Sequence, residues 1–146
     1  MTTPIDIRLL GPDDEAALLG AAPDLFDNPV QPALAREFLA DPRHHIVVAF
    51  EVGTVIGFAS GVHLIHPDKP AELFVNEVAV IESHQRRGIA KALMLALFRH
   101  GRALGCACAW LGTERSNTAA TALYAALGAN EVAPDPVNLD FDLTAL

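Results

Sequence analysis

The sequence predicts an α/β (α+β) fold. One domain over residues 1–146 carries a mixed, mostly antiparallel sheet of about seven strands with four helices, in the order β-α-α-β-β-β-α-β-α-β-β. Three observations predict it. The strand-like segments 44–51, 54–65 and 72–80 follow one another with no helical stretch between them. Two later segments, starting near Ile89 and Ser116, repeat apolar residues at helical spacing and stop at a glycine. A short apolar run, CACAWLGT, separates those two helices and has the length of a strand.

The elements follow in order. IDIRLL (5–10) alternates and reads as a strand. Gly11-Pro12-Asp13-Asp14 supplies a turn, and Asp13, Asp14 and Glu15 suit the positive end of a helix expected to reach about Ala22. Pro23, Pro29 and Pro32 interrupt the chain before a second helix at roughly 32–40, which Asp41-Pro42 ends. HHIVVAFE (44–51) and TVIGFASGVHLI (54–65) flank Val52-Gly53 as a hairpin. HPDKPAE (66–72) is a loop, and ELFVNEVAV (72–80) is a strand interrupted by Asn76-Glu77. Ile89, Leu93, Ala96, Leu97 and Leu104 line one helix face, with Gly105 as its stop. CACAWLGT (106–113) is expected to be a short buried strand. Ser116 or Asn117 caps a last helix bearing Ala120, Leu123, Tyr124 and Leu127, ended by Gly128. Two closing strands fit at about 130–133 and 137–143.

Composition narrows the function classes. Hydrophobic residues make up 51% of the chain, yet no run approaches the roughly 20 apolar residues of a membrane span. The first residues, MTTPIDIRLLGPDDE, lack a basic region followed by a long apolar one, so no secretory signal is expected. Cys106 and Cys108 form a lone C-x-C without the paired spacing of a zinc site; buried free thiols in a reducing cytoplasm are the expectation. His63 and His66 flank the 66–72 loop, where either could touch a substrate, but neither has an i, i+4 ligand partner, so no metal is expected. The net charge of −8 argues against nucleic-acid binding and suits a polycationic small-molecule partner.

Against that negative background, QRRGIA (85–90) concentrates positive charge where a strand turns into a helix. A helix N-terminus leaves its first N–H groups unpaired, and a preceding loop can turn further amides inward to complete an anion cradle. Gly88 lets backbone approach a ligand closely, Ala90 keeps the first turn uncluttered, and Arg86, Arg87 and Lys91 raise the local potential. The motif therefore suits a pyrophosphate; a plain strand-to-helix turn with solvated arginines is the alternative. No G-x-x-x-x-G-K-[ST], and no G-x-G-x-x-G after the first strand, points to other nucleotides.

ELFVNEVAV, the spacer ESH, QRRGIAKALM and SNTAATALYAALGA together resemble the GCN5-related N-acetyltransferase (GNAT) family across residues 72–129. The resemblance implies acetyl-CoA as cofactor, its pyrophosphate held by Gln85, Arg86, Arg87, Gly88, Ile89, Ala90 and Lys91, with Ala90 where the family more often has glycine. It further implies that Val78, Ala79 and Val80 splay from a neighbouring strand at a bulge. Their backbone would then meet the pantetheine amide and the acetyl carbonyl. Asn117 matches an asparagine that contacts pantetheine, and Tyr124 a tyrosine that protonates the leaving thiolate. These two stand seven apart, two turns along one helix face. A core-edge aromatic is the other reading of Tyr124.

Glu77 interrupts an apolar strand just before those backbone contacts. A buried carboxylate there is costly unless paired or facing a cleft, so Glu77 is expected to bind the substrate ammonium and accept its proton; a solvent-facing strand residue is the alternative. No cysteine or serine constellation suggests an acyl-enzyme, and direct attack in a ternary complex is expected.

HPDKPAELFVNEVAVIESHQRRGIAKAL is similar to the aminoglycoside 3-N-acetyltransferase branch, as is the alternating tail NLDFDL (138–143). That likeness implies antibiotic modification at a 3-amino group, with Asp140 and Asp142 on one strand face assisting a polycation. The wider family resemblance implies a homodimer, in that family often formed through the C-terminal strands. Acetylation of another polyamine or of a peptide amine, and a non-catalytic acetyl-CoA sensor, stay open beside it.

Overall fold

The structure is a computed structural model that describes residues 3–132 and 138–145. Contacts divide the chain into two compact units, Met1–Thr113 and Glu114–Leu146.

The first unit is a sheet with helices on both of its faces. Strands β1 (Asp6–Leu9), β2 (His44–Glu51), β3 (Thr54–Leu64), β4 (Glu72–Val80) and β5 (Cys108–Trp110) lie side by side in sequence order. The first four pair antiparallel and β5 runs parallel to β4, so the mixed, mostly antiparallel class holds. Val52 and Gly53, both at positive φ, turn β2 into β3 at the expected hairpin. Helix α1 (Glu15–Leu19) ends well before Ala22: Gly20 takes the C-cap and Pro23 blocks continuation. Helix α2 (Pro32–Ala40) begins with proline in its first turn.

Helix α3 (Ile89–Ala103) buries Ile89, Leu93, Met94, Leu97 and Gly101. Leu104, expected on that face, instead caps the helix and is 39% exposed. On the opposite face, Leu10, Leu18, Leu25, Leu39 and Phe58 join one core, with Ala79 and Ile81 packed against it. Phe26 stacks on Phe58 at 4.3 Å between ring centroids, anchoring the chain between α1 and α2 to the sheet.

Two expectations about the edge fail. The run 106–113 yields a strand of only three residues, and all three are exposed. Cys108 is therefore exposed rather than buried, and Cys106 only partly buried. Their polarity cannot be read from an apolar run alone, because a strand at a sheet edge has fewer neighbours than a central one.

The second unit contains α4 (Thr118–Ala126), which stops at Leu127 and at Gly128 with φ 87°. Among the described residues, neither closing strand forms: 130–132 and 138–142 are irregular, and 143–145 make a 3₁₀ turn. Residue 133 and residue 137, at the ends of those two expected strands, lie outside the described residues. The alternation in NLDFDL is real, but alternation makes a strand only where a neighbour supplies the ladder. Among the described residues the sheet thus has five strands, not seven.

Candidate acyl-transfer site

β4 carries the centre of the site, and its pairing explains why. On one side it follows β3 from Glu72 to Val80, but on the other it meets β5 only at Glu72, Leu73 and Phe74. Beyond Phe74 one edge of β4 has no strand beside it within this unit. The register also breaks at Asn76, since Gly61 pairs with Val75 while Ser60 pairs with Glu77. This bulge resets which backbone groups face β3.

The alternation after the bulge can be followed from one hydrogen bond. Ile81 N–H donates to Ile56 C=O at 3.0 Å, so Glu77, Ala79 and Ile81 turn their backbone groups toward β3. Val78 and Val80 turn theirs toward the open edge. The Val80 carbonyl there accepts from Gln85 Nε2 at 3.0 Å, which ties the following loop to the end of the strand. The N–H and C=O of Val78 and the N–H of Val80 stay open. An N–H held in this way, with no partner to leave, is the kind of donor that stabilises charge developing on an acyl oxygen.

The loop then delivers the cradle. A 3₁₀ turn at Glu82–His84 leads to Arg86 at φ 62° and Gly88 at φ 77°. Among the described residues, no backbone N–H from Arg86 through Lys91 has an acceptor, giving six consecutive free amides at the start of α3. A Cβ built on Gly88 would meet nothing within 4 Å, so the space beside this turn is open to a ligand. Among the described residues, Arg86, Arg87 and Lys91 form no ion pair either. Unpaired amides, unpaired cations and open space fit a diphosphate.

A cleft of about 720 Å³ adjoins the end of β4. Its walls include Asp24, Leu25, Ala79, Val80, Glu82 and Ser83. Asp24 sits at φ 65° in the loop that Ala22 N–H fastens to Val55 C=O at 2.9 Å. Two carboxylates thus line the cleft, while the cations cluster on the loop that leaves it.

The sequence-derived residues distribute unevenly. Val78, Ala79, Val80 and the segment from Gln85 to Lys91 come together around the end of β4. Glu77 shares the strand but is exposed, has no ion pair among the described residues and is absent from the cleft wall, as in the solvent-facing alternative. The bulge at Asn76 sets the register so that Glu77 and Ala79 share one face of the strand.

Sequence reasoning missed Ser83, His84 and Glu51. Ser83 Oγ lies 2.8 Å from His84 Nδ1, and His84 Nε2 hydrogen-bonds the Glu51 carboxylate. No spacing signals this, because Glu51 arrives from the β2–β3 hairpin. His63, considered for substrate contact, instead bonds His45 (2.7 Å), which bonds His100 (2.9 Å). That chain lies near the C-terminal end of α3, whereas the cradle opens at its N-terminal end.

In the second unit, Asn117 caps α4, its Oδ1 accepting from Ala120 N–H at 3.1 Å. Its amide nitrogen has no partner within the unit. Burial pushes the Tyr124 phenol above its ordinary range, so it is a protonated donor at neutral pH. Asp142 accepts from the Thr144 backbone N–H at 2.9 Å and serves a turn; neither it nor Asp140 stands on a strand. Among the described residues, no group of three His, Cys, Asp or Glu has a geometry that could hold a metal ion, and no helix is long and apolar enough to cross a membrane. Burial raises the Cys106 and Cys108 thiols, the opposite of nucleophile activation.

Comparison with known proteins follows the same outline. Residues 16–129 match the family described as "Acetyltransferase (GNAT) family". The N-alpha-acetyltransferase RimI of Mycobacterium tuberculosis is 32% identical over 90% of this chain and 82% of its own length. A mycothiol acetyltransferase of Saccharopolyspora erythraea is 37% identical over 61% of the chain, which spans only 28% of that larger protein. Among solved structures, the aminoglycoside N-acetyltransferase AAC(6')-Iy in complex with CoA superposes with a TM-score of 0.79 at 25% identity, covering 98% of this chain and 97% of that one.

Proposed function

The chain belongs to the acetyltransferase (GNAT) family, and from that premise we propose that it acetylates a cationic primary amine, with an aminoglycoside as the leading acceptor. N-acetyl transfer is the reaction and acetyl-CoA the donor. The observation that carries the acceptor class is the separation of charge at the end of β4. Free amides with Arg86, Arg87 and Lys91 gather on one side, while Asp24 and Glu82 line the cleft on the other. The first set suits a diphosphate; the second suits an ammonium.

In this reading the open N–H groups of Val78 and Val80 hold the pantetheine and acyl carbonyls. Gln85, Ile89 and Ala90 shape the cradle, and Glu77 attracts the acceptor's ammonium groups. Tyr124 protonates the departing thiolate, and Asn117 contacts the pantetheine arm. Asp140 and Asp142 are accessory acidic residues toward a polycation. With no activated thiol available, the amine attacks directly. Antibiotic modification in the cytoplasm follows as part of the same proposal, and a homodimer is its expected assembly.

The likeness to RimI favours a second acceptor, a peptide α-amino group, because it extends over 90% of the chain. One panel tests both. Thiol release is followed with acetyl-CoA and aminoglycosides, short polyamines or peptides, and the aminoglycoside product is mapped by NMR. We expect turnover with the aminoglycosides. Acetylation at the 3-amino group matches the sequence likeness, and at the 6'-amino group the structural one. Turnover confined to peptides overturns the aminoglycoside reading. Tyr124→Phe is expected to lower kcat by on the order of 10²-fold while calorimetric CoA affinity holds. An unchanged kcat removes Tyr124 from the reaction.

A further inference from the structure

Deprotonating the acceptor is the step for which the site described so far supplies no well-placed group. An amine that is an ammonium at neutral pH has no lone pair with which to attack a thioester. Glu77 is exposed and outside the cleft wall. Asp24 and Glu82 line the cleft, where their carboxylates suit holding the cation.

Ser83 is the residue in that wall with a base behind it. Its hydroxyl lies 2.8 Å from His84 Nδ1, and the far nitrogen of the same ring, Nε2, bonds the Glu51 carboxylate. The side chains of His84 and Glu51 are only 16% and 21% exposed, so this contact is shielded from bulk water. Two elements and one backbone hydrogen bond fix the arrangement. Glu51 ends β2, Ser83 and His84 form the 3₁₀ turn after β4, and His84 N–H bonds Ile81 C=O at 2.9 Å.

For the neutral ring, the donor and acceptor roles then follow from the Glu51 contact. A carboxylate only accepts, so the ring carries its proton on Nε2 and presents a lone pair at Nδ1. The Ser83 O–H therefore donates to Nδ1, and the Ser83 oxygen is left to accept from a donor in the cleft.

We propose that Ser83, His84 and Glu51 form the proton-accepting relay for the acceptor amine, with Ser83 Oγ as the atom that touches it. The proposal rests on the acetyl-transfer reading above. The step balances. An ammonium N–H proton passes to Ser83 Oγ as the Ser83 hydroxyl proton passes to His84 Nδ1. The amine keeps the N–H electron pair as its nucleophilic lone pair. The imidazolium forms against the Glu51 carboxylate and later releases its proton to water. Ser83 ends as it began, and no bond forms between it and the acyl group.

The test is the pH dependence of kcat/KM and kcat for the wild type, Ser83→Ala, Ser83→Thr, Glu51→Gln and Glu77→Gln with an aminoglycoside acceptor, alongside CoA affinity by calorimetry. At pH 7, Ser83→Ala is expected to lose on the order of 10²-fold in kcat with CoA affinity unchanged. Its rate should then climb about tenfold per pH unit as free amine accumulates. Ser83→Thr, which retains the hydroxyl, should recover most of the rate. Glu51→Gln should shift the acidic limb of the profile, whereas Glu77→Gln should raise the acceptor KM and leave that limb in place. A Ser83→Ala enzyme with wild-type kcat and profile overturns the relay and leaves acetyl transfer standing. Acetyl-enzyme on Ser83, found by mass spectrometry without acceptor, also overturns it. A wild type that releases no thiol with any amine removes both the transfer and the relay.

Discussion

Gly88 shows how much of the cradle depends on a single position. At φ 77° its backbone is in the left-handed region, where an L side chain costs roughly 1–2 kcal/mol, more for a β-branched one. The neighbouring Arg86 is already there at φ 62°, so the turn contains two such residues within three. Gly88→Val should therefore lower thermal stability modestly but weaken CoA binding at least tenfold, since the new side chain enters the space left for the anion. Calorimetric titration with CoA checks this, and affinity within twofold of wild type would remove the turn from the binding site. This residue was legible in the sequence because glycine before a helix has few uses. Glu77 was only half legible: its place on the strand beside the open backbone groups could be read, but the extra residue at Asn76, which sets the face it takes, leaves no local signal. Ser83 was not legible at all. Its significance comes from Glu51, whose approach depends on the hairpin and on no local pattern.

At the scale of elements, strands 44–51 and 72–80 and helix 32–40 match their sequence-derived bounds, since each has strong periodicity and clear breakers at both ends. The closing strands failed because a pattern of alternation carries no information about whether a partner edge is present. The chain of histidines joins three elements and yields a stability prediction. His45 on β2 lies between His63 on β3 and His100 on α3, with His44 and Asp41 as the other charged or titratable neighbours. Burial first, then the neighbouring His100 and His63, lowers the His45 pKa from 6.5 to about 4. Burial and then His63 lower that of His100. The unfolded chain therefore binds more protons than the folded one between these values, so stability falls as pH drops from 6.5 toward 4. The loss attributable to His45 is at most about 3 kcal/mol. Urea unfolding at pH 7.5 and 4.5 should show a steeper loss in the wild type than in His45→Phe. Equal slopes would mean that the chain does not exclude protons.

For the whole molecule, net charge misled less than it first suggests. A total of −8 gives no hint of a basic turn, yet the turn is conspicuous because its surroundings are acidic. Sequence alone made the fold class, the helix start and the glycine turn before it readable, as each is encoded by local pattern. The cleft and its relay were not, because they depend on loops brought together from positions 22–25, 51 and 79–85. The divergence of β4 from β5 has one more consequence. In the proposed reading the groups offered to the acyl carbonyl belong to the main chain, so replacing Val78 by almost any residue other than proline leaves its N–H in place. Evolution can rewrite the side chains of this strand while the reaction survives, and loss of activity in a descendant would be written in the path of the backbone before it showed in the letters of the sequence.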